Sequence, residues 1–345
     1  MKNKQIVFTG INTAKLLDID DTEIFNDEIL VKTEFTALSA GTERANITGE
    51  KNIHGIKELC NTEFPRTSGY SGVGTVAAIG NDVKNIAVGD RVIICFGKHK
   101  QYNIIKECNA VKIPYDSIPS KQAALTVIST FSMLGVRKTQ LEIGESAMVM
   151  GLGILGLIAV QIYKAGGAVP VIAVDPNPER RQLAIEIGAD YALDPTEANF
   201  ADRVKQLTLG KGVDAVTEVS GVDKALVQAL DCCAKFARVS LLGCTRKPCS
   251  EIDFYHQVHY PGVVILGANT WARPLLESRP GSWTHEDDCL AVLKLLATGR
   301  LSFDKLINEV HSPIDAPEVY ERLVSDKNFP IGVLFDWTTL DGSNE

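Results

Sequence analysis

The segment Gly151-Leu-Gly153-Ile-Leu-Gly156 limits what this chain can fold into more than any other stretch. It follows the apolar run Ala147-Met-Val-Met and opens the apolar run Ile154 to Lys164. A Gly-x-Gly-x-x-Gly triplet alone is a weak signal. Set between a strand and a helix, it predicts the phosphate turn of a dinucleotide-binding fold. Gly151 permits the tight turn. Gly153, without a Cβ, lets the backbone approach a pyrophosphate, and Gly156 lets the helix lie close on the strand. The helix amino end, at Ile154 and Leu155, then offers free N–H groups to the phosphates.

A second element agrees. The strand Pro170-Val-Ile-Ala-Val ends in Asp175, about twenty residues beyond the glycines. A carboxylate there accepts hydrogen bonds from the ribose hydroxyls and repels a 2′-phosphate, so NAD is expected over NADP. Arg180 and Arg181 leave adenine stacking or a 2′-phosphate contact open.

Around this motif, strands and helices alternate from Ser146 onward. Helices are expected over 177–187, 201–207, 222–232 and 286–296, and a final strand at Ile331-Gly-Val-Leu-Phe-Asp-Trp. That alternation predicts a parallel sheet covered on both faces. The first third differs. Glu28 to Leu38, Gly72 to Gly80 and Gly89 to Phe96 read as short strands with turn glycines, which predicts a barrel-like antiparallel domain. Ser120 stands where it would cap a helix. A chain of 345 residues holds two such domains comfortably.

Charge and composition exclude other classes. The balance of 35 basic and 43 acidic residues gives −8, with no basic run for a phosphate backbone, so no nucleic-acid partner is expected. The amino terminus lacks the apolar run of a secretory signal. The most apolar stretch, Ala147 to Tyr163, is broken by the motif glycines and Gln161 and does not read as a membrane span. A cytoplasmic protein is expected. The cysteines at 60, 95, 108, 232, 233, 244, 249 and 289 form no Cys-x-x-Cys pair and read as reduced thiols.

The glycine motif, Asp175, Ala40-Gly-Thr-Glu43, Gly69-Tyr-Ser-Gly72, Val88-Gly-Asp-Arg-Val92 and Gly188-Ala-Asp190 together resemble the medium-chain dehydrogenase/reductase superfamily, along nearly the whole chain. The resemblance implies a GroES-like β-rich catalytic domain over 1–127, completed by 272–345, and a Rossmann doubly wound parallel-sheet domain over 128–271. It implies a cleft between them, and cofactor contacts from Thr130, Ser220, Gly243 and Ala268 besides the residues above. It also implies a homodimer or homotetramer joined through the edge strand Val263 to Gly267.

The departures carry equal information. In that family a cysteine, a histidine and a third residue bind catalytic zinc. The matching positions here are Ala40, Tyr70 and a place near Thr126; Ser71 replaces the glutamate beside the histidine, and Ala45 a relay histidine. The four-cysteine structural lobe is missing, because Phe96-Gly-Lys-His-Lys-Gln-Tyr runs straight on. Catalytic zinc needs three nitrogen, sulfur or oxygen ligands from the protein, so no zinc is expected. An unrelated metal site from His99, His256 or His259 stays open.

Without zinc, a side chain must handle the substrate proton, or the reaction must need less polarisation. Tyr70 is the first candidate, as proton donor or acceptor or as a filler of the vacated space. Thr42 matches a relaying hydroxyl. Glu43 matches a supporting acid, or pairs with Arg44 or another base. His259, before the strand at Val263, is a candidate base or a packed histidine. Lys98, His99 and Lys100 face the cleft or form a solvated loop. The aromatic and arginine-rich segment Trp271-Ala-Arg-Pro to Trp283 suits a sugar, or is structural. The expected function is an NAD-dependent, zinc-independent oxidoreductase acting on a secondary alcohol of a polyol, sugar or glycoside. The alternatives are a quinone or enoyl reductase, and a non-catalytic dinucleotide-binding protein.

Overall fold

A computed structural model describes residues 2–20, 23–51, 63–244 and 251–340. Cys60 and Cys249 lie outside them. The chain divides into two compact units, Met1–Ile128 with Ser302–Glu345, and Ser129–Leu301.

The first unit opens with β1 (Lys2–Gly10) and β2 (Thr13–Asp20), an antiparallel hairpin turned at Asn12, which takes the left-handed φ of 54°. Then come β3 (Glu28–Ala37), α1 (Ala40–Ile47), β4 (Arg66–Thr67), β5 (Ser71–Ile79), β6 (Arg91–Cys95), β7 (Tyr102–Lys106), β8 (Ala110–Lys112) and α2 (Ser120–Ala123). α3 (Thr126–Lys138) carries the chain onward. Ser120 does not cap α2. It is the first helical residue, and its hydroxyl donates to Glu34 Oε2 at 2.6 Å and accepts from Arg91 at 3.1 Å.

The second unit holds β9 (Ala147–Met150), α4 (Ile154–Ala165), β10 (Val171–Val174), α5 (Pro178–Glu186), β11 (Tyr191–Leu193), α6 (Phe200–Leu207), β12 (Val213–Glu218), α7 (Asp223–Asp231), β13 (Cys233–Leu241), β14 (Val264–Gly267) and α8 (His285–Ala297). Its strands pair in parallel in the order β11-β10-β9-β12-β13-β14. This is a doubly wound sheet whose order reverses between β9 and β12, and ligands of such sheets bind beyond the carboxyl ends at that reversal. Met148, Ile172, Val216, Val239 and the inward faces of α6 and α7 form the core on one side.

The chain returns through β15 (Ile307–His311), α9 (Ala316–Ser325) and β16 (Gly332–Asp336). β16 pairs antiparallel with β3, in a sheet ordered β15-β16-β3-β5-β6-β8 with β7 also on β3. A core around Phe8, Tyr320, Phe335 and Trp337 packs α9 beside the hairpin and the last strand.

The return to the first unit comes at Ser302, not at 272. Buried Asp288 of α8 explains the difference. It accepts Arg137 Nε at 2.7 Å and Arg273 Nη1 at 3.0 Å, and the Arg137 guanidinium lies 3.5 Å over the Trp283 ring. These contacts tie residues 273–288 to α3 within the second unit. No helix among the described residues is long and apolar enough to cross a membrane.

Candidate functional site

The glycine turn is built as a close-packed strand-to-helix junction. Gly151 has a φ of +98°, and a Cβ there would come within 3.0 Å of the Ser220 nitrogen. A Cβ on Gly156 would overlap the Gly151 carbonyl oxygen. Gly153 differs: a Cβ there meets nothing within 4 Å. It is the N-cap of α4 and no side chain caps that helix, so the first-turn amides of Ile154 and Leu155 are left to water or a ligand. A cradle that only a missing Cβ keeps open, beside a helix amino end, fits a pyrophosphate.

Asp175 is buried at the end of β10. Its Oδ2 accepts Leu152 N–H and its Oδ1 accepts Asn177 N–H, both at 2.8 Å. Each oxygen keeps a lone pair for a further donor. Arg181 is committed elsewhere, to the Asp175 carbonyl at 2.7 Å and Asp194 at 3.0 Å. Arg180 stands 4.0 Å from Asp175 Oδ2.

Ser220, Gly243 and Ala268 follow β12, β13 and β14 on the same carboxyl edge as Gly151 and Asp175. Buried Glu218, which sequence reasoning missed, ties two of these loops. Its carboxylate accepts the Ser220 hydroxyl, Ser220 N–H at 2.8 Å and Gly221 N–H at 3.1 Å, and its carbonyl accepts Gly243 N–H at 2.8 Å. Burial pushes the Glu218 carboxyl above its ordinary range, against those hydrogen bonds. Thr130 is buried in α3, and its carbonyl accepts Arg273 Nη2 at 3.2 Å.

His259 does not stand beside the glycine turn as a candidate base would. It precedes β14 and so lies at the amino edge of the parallel sheet, away from the glycine turn, with its exposed ring stacked on Tyr255. Arg273 and Trp283 are held by Asp288 and Arg137 and are structural; Trp271 is exposed.

The first unit brings together Tyr70, Ser39, Glu43 and His99. Tyr70 is half-buried just before β5 and donates its hydroxyl to Ser39 Oγ at 2.6 Å. Next to it, the Ser71 hydroxyl donates to the Ala124 carbonyl at 2.5 Å, which ties this strand start to the turn just before Thr126. Thr126 Oγ1 is buried without a hydrogen-bond partner among the described residues. Thr42 is exposed on the first turn of α1.

Glu43 is fully buried. It pairs with neither Thr42 nor Arg44; the latter donates to the Leu323 carbonyl at 2.8 Å. Glu43 accepts Ser39 N–H at 2.8 Å, His99 Nε2 at 3.1 Å and the Tyr320 hydroxyl. Burial and the Glu43 charge push the Tyr320 phenol well above its ordinary value, so it stays a donor. His99 is therefore no solvated loop residue. Its Nδ1 meets Thr36 Oγ1 at 2.7 Å, and that oxygen also accepts Trp337 Nε1–H at 2.9 Å. Indole nitrogen only donates, so the Thr36 hydroxyl hydrogen is free for Nδ1 and Nε2–H faces Glu43.

Gly69 makes the approach possible. A Cβ there would stand 2.5 Å from the His99 nitrogen, which donates to the Ser68 carbonyl at 2.9 Å. Lys98 is exposed at its surface yet crowded enough that desolvation lowers its ammonium pKa, an effect the Glu43 charge opposes. His256 pairs with Asp253 at 2.8 Å, and His259 stacks on Tyr255.

The donor set at the three positions matched to zinc ligands is a methyl group, a phenol and an aliphatic hydroxyl. None is a thiolate, imidazole or carboxylate, and the set does not fit zinc.

Comparison with known proteins agrees with the architecture. Residues 26–118 match the family model for the alcohol dehydrogenase GroES-like domain, and residues 155–276 the one for zinc-binding dehydrogenases. D-guloside 3-dehydrogenase of Escherichia coli (strain K12) is 29% identical over 96% of this chain and 100% of its own length. A structure from Sinorhizobium meliloti 1021 bound to NADP has a TM-score of 0.80 at 21% identity, covering 97% of this chain and 99% of that one. An alcohol dehydrogenase of Escherichia coli CFT073 complexed with NADH has a TM-score of 0.82 at 19% identity, with the same coverage of 97% and 99%. The chain belongs to the medium-chain dehydrogenase/reductase superfamily and is an oxidoreductase.

Proposed function

We propose that this chain is an NAD-dependent, zinc-independent dehydrogenase that interconverts a secondary alcohol and a ketone on a polyol, sugar or glycoside. One observation carries the reading: at a position matched to a zinc ligand, a half-buried phenol, Tyr70, is held by a defined hydrogen bond to Ser39. Oxidising an alcohol removes a proton from oxygen and a hydride from carbon. A nicotinamide dinucleotide, when bound, accepts the hydride. The residues to hold it are Gly151 to Gly156, Asp175, Ser220, Gly243 and Ala268. Tyr70 takes the proton as phenolate, or in the reverse direction donates it to the carbonyl oxygen.

The choice of NAD rests on Asp175, since the two structural neighbours carry NADP and NADH. A buried carboxylate repels a third phosphate. The sugar or glycoside class is supported by the guloside relative. The edge strand β14 with exposed Val264 supports a homodimer or a homotetramer.

The test is a panel of polyols and glycosides with NAD and with NADP, and of quinones and enones with NADH and with NADPH, read as formation or loss of the reduced cofactor, on protein checked by elemental analysis. Turnover with NAD and no stoichiometric zinc is the expected result. About one zinc per chain, lost together with activity on chelation, overturns the metal-free part. Turnover only with NADPH on quinones or enones overturns the alcohol reading.

A further inference from the structure

Ser39 departs from what its position predicts. It is the N-cap of α1, with φ −97° and ψ 89°. A serine there ordinarily accepts an amide N–H of the first helical turn, worth about 1 kcal/mol. Ser39 makes no such bond. Its hydroxyl oxygen instead receives the Tyr70 hydroxyl at 2.6 Å, from 31 residues away. A local rule given up for a contact far along the chain marks a functional constraint.

The backbone of Ser39 is fixed at the same time. Its N–H donates to Glu43 Oε1 at 2.8 Å. The other bonds of that carboxylate go to His99 and Tyr320, and His99 is held through Thr36 and Trp337. Thr36, Ser39, Glu43, His99, Tyr320 and Trp337 are all buried. A buried network satisfied to this degree is stiff. At this end the network holds Ser39.

We infer that Ser39 is a positioning residue for Tyr70, its backbone anchored by the Glu43–His99–Tyr320 cluster so that its hydroxyl sets the direction of the Tyr70 hydroxyl and stabilises the phenolate. The inference rests on the dehydrogenase reading above. With the phenol protonated, Tyr70 donates to Ser39 Oγ and turns its lone pairs elsewhere. When Tyr70 passes its proton to a carbonyl oxygen undergoing reduction, the Ser39 hydroxyl rotates and donates to the phenolate. Ser39 keeps its own proton throughout. In the oxidising direction the phenolate takes the substrate hydroxyl proton and Ser39 rotates back. The titratable groups around the pair are Glu43 of α1, Lys98 and His99 of the loop after β6, and Tyr320 of α9.

Ultraviolet titration of phenol ionisation tests this without a substrate. The transition lost in Tyr70→Phe identifies Tyr70. In Ser39→Ala that transition should move to higher pH, and Ser39→Thr should restore it. Once a substrate is in hand, Ser39→Ala should lower kcat about tenfold, the worth of one hydrogen bond to a charged group. The alkaline-going limb of the oxidation profile should move with it, and the NAD dissociation constant should stay unchanged. An unmoved Tyr70 transition in folded Ser39→Ala overturns the inference, and a Tyr70→Phe variant that has lost turnover then leaves the dehydrogenase reading standing. Wild-type turnover in Tyr70→Phe overturns the role of Tyr70 itself. Should Ser39→Ala fail to fold, Ser39→Cys, similar in volume and a weaker hydrogen-bonding group, carries the same comparison.

Discussion

Asp175 Oδ2 accepts the Leu152 N–H at 2.8 Å, so the carboxylate that follows β10 is also a strut of the glycine turn that follows β9. Asp175→Ala therefore has two effects. It leaves the Leu152 and Asn177 amides without their acceptor, at a cost of about 1–3 kcal/mol. It also removes the group that disfavours a 2′-phosphate. Thermal melting should fall, NAD should bind more weakly, and the preference for NAD over NADP should narrow in fluorescence titrations. Equal affinity for both cofactors in the wild type would show that Arg180 already cancels Asp175.

The glycines of the motif should fail in different ways. Gly153→Val places its branch in open space, so the protein should fold and melt near wild type while losing NAD binding. Gly156→Ala puts a methyl group into the Gly151 carbonyl and forces α4 away from β9. Overpacking of that kind costs about 1–3 kcal/mol. Calorimetry with NAD separates the cases. Normal NAD affinity in folded Gly153→Val would make the motif a packing turn only.

Tyr70→Phe keeps the ring and removes the hydroxyl. Positioned acid–base groups contribute roughly 10²–10⁴-fold, and kcat should fall by that order with NAD affinity held. Turnover within about threefold of wild type would make Tyr70 a filler of space.

The glycine turn and the cluster beside Tyr70 were unequally legible in the sequence. The glycine turn is local: its residues, strand and helix lie within one short stretch, and the pattern alone carries the geometry. Asp175 follows at a predictable spacing. The Ser39–Glu43–His99–Tyr320 cluster is not local. It joins α1, the loop after β6 and α9, and no periodicity announces that His99, in a run of three basic residues, is the buried one. The one local signal was Gly69, whose missing Cβ admits the 98–99 backbone. His259 was misplaced because a residue before a parallel strand lies on the edge opposite the ligand. Helix α1 escaped notice because the charged Glu43 lies on its buried face, whereas α9 was legible, its buried Ala316, Val319, Tyr320 and Leu323 falling at helical spacing.

Arg238 holds the Glu145 carboxyl below its ordinary value, with Nη1 at 3.0 Å and Nη2 also in contact. The native state therefore holds this proton less tightly than the unfolded chain. The pair's stability is present above the unfolded carboxyl range and is lost as pH falls through the folded value. Both groups are partly exposed, so the contribution is about 1 kcal/mol or less. Arg238→Gln should flatten this part of the acid limb in melting curves taken from pH 6 down to pH 3. An identical acid limb would show that the pair adds nothing.

Asp288 carries the largest expected loss of stability. It is fully buried between Arg137 and Arg273, and Arg273 is only 4% exposed. Burial raises the Asp288 carboxyl and lowers the Arg273 guanidinium, both shifts opposing the charged forms, while their mutual attraction works the other way. Such a pair is costly to form and more costly to break. Asp288→Ala leaves two guanidiniums facing an empty space, and breaking a buried pair from one side costs about 3–5 kcal/mol. Replacing both partners with apolar groups removes the stranded charge. Asp288→Leu with Arg273→Met should therefore melt above Asp288→Leu alone, with Arg137 left stacked on Trp283 and reaching solvent. The two single variants and the double one, compared by denaturant unfolding, give the coupling directly. A loss below about 1 kcal/mol in Asp288→Ala, or strict additivity in the cycle, would mean that α8 is held to the second unit by its apolar face and not by this charge cluster.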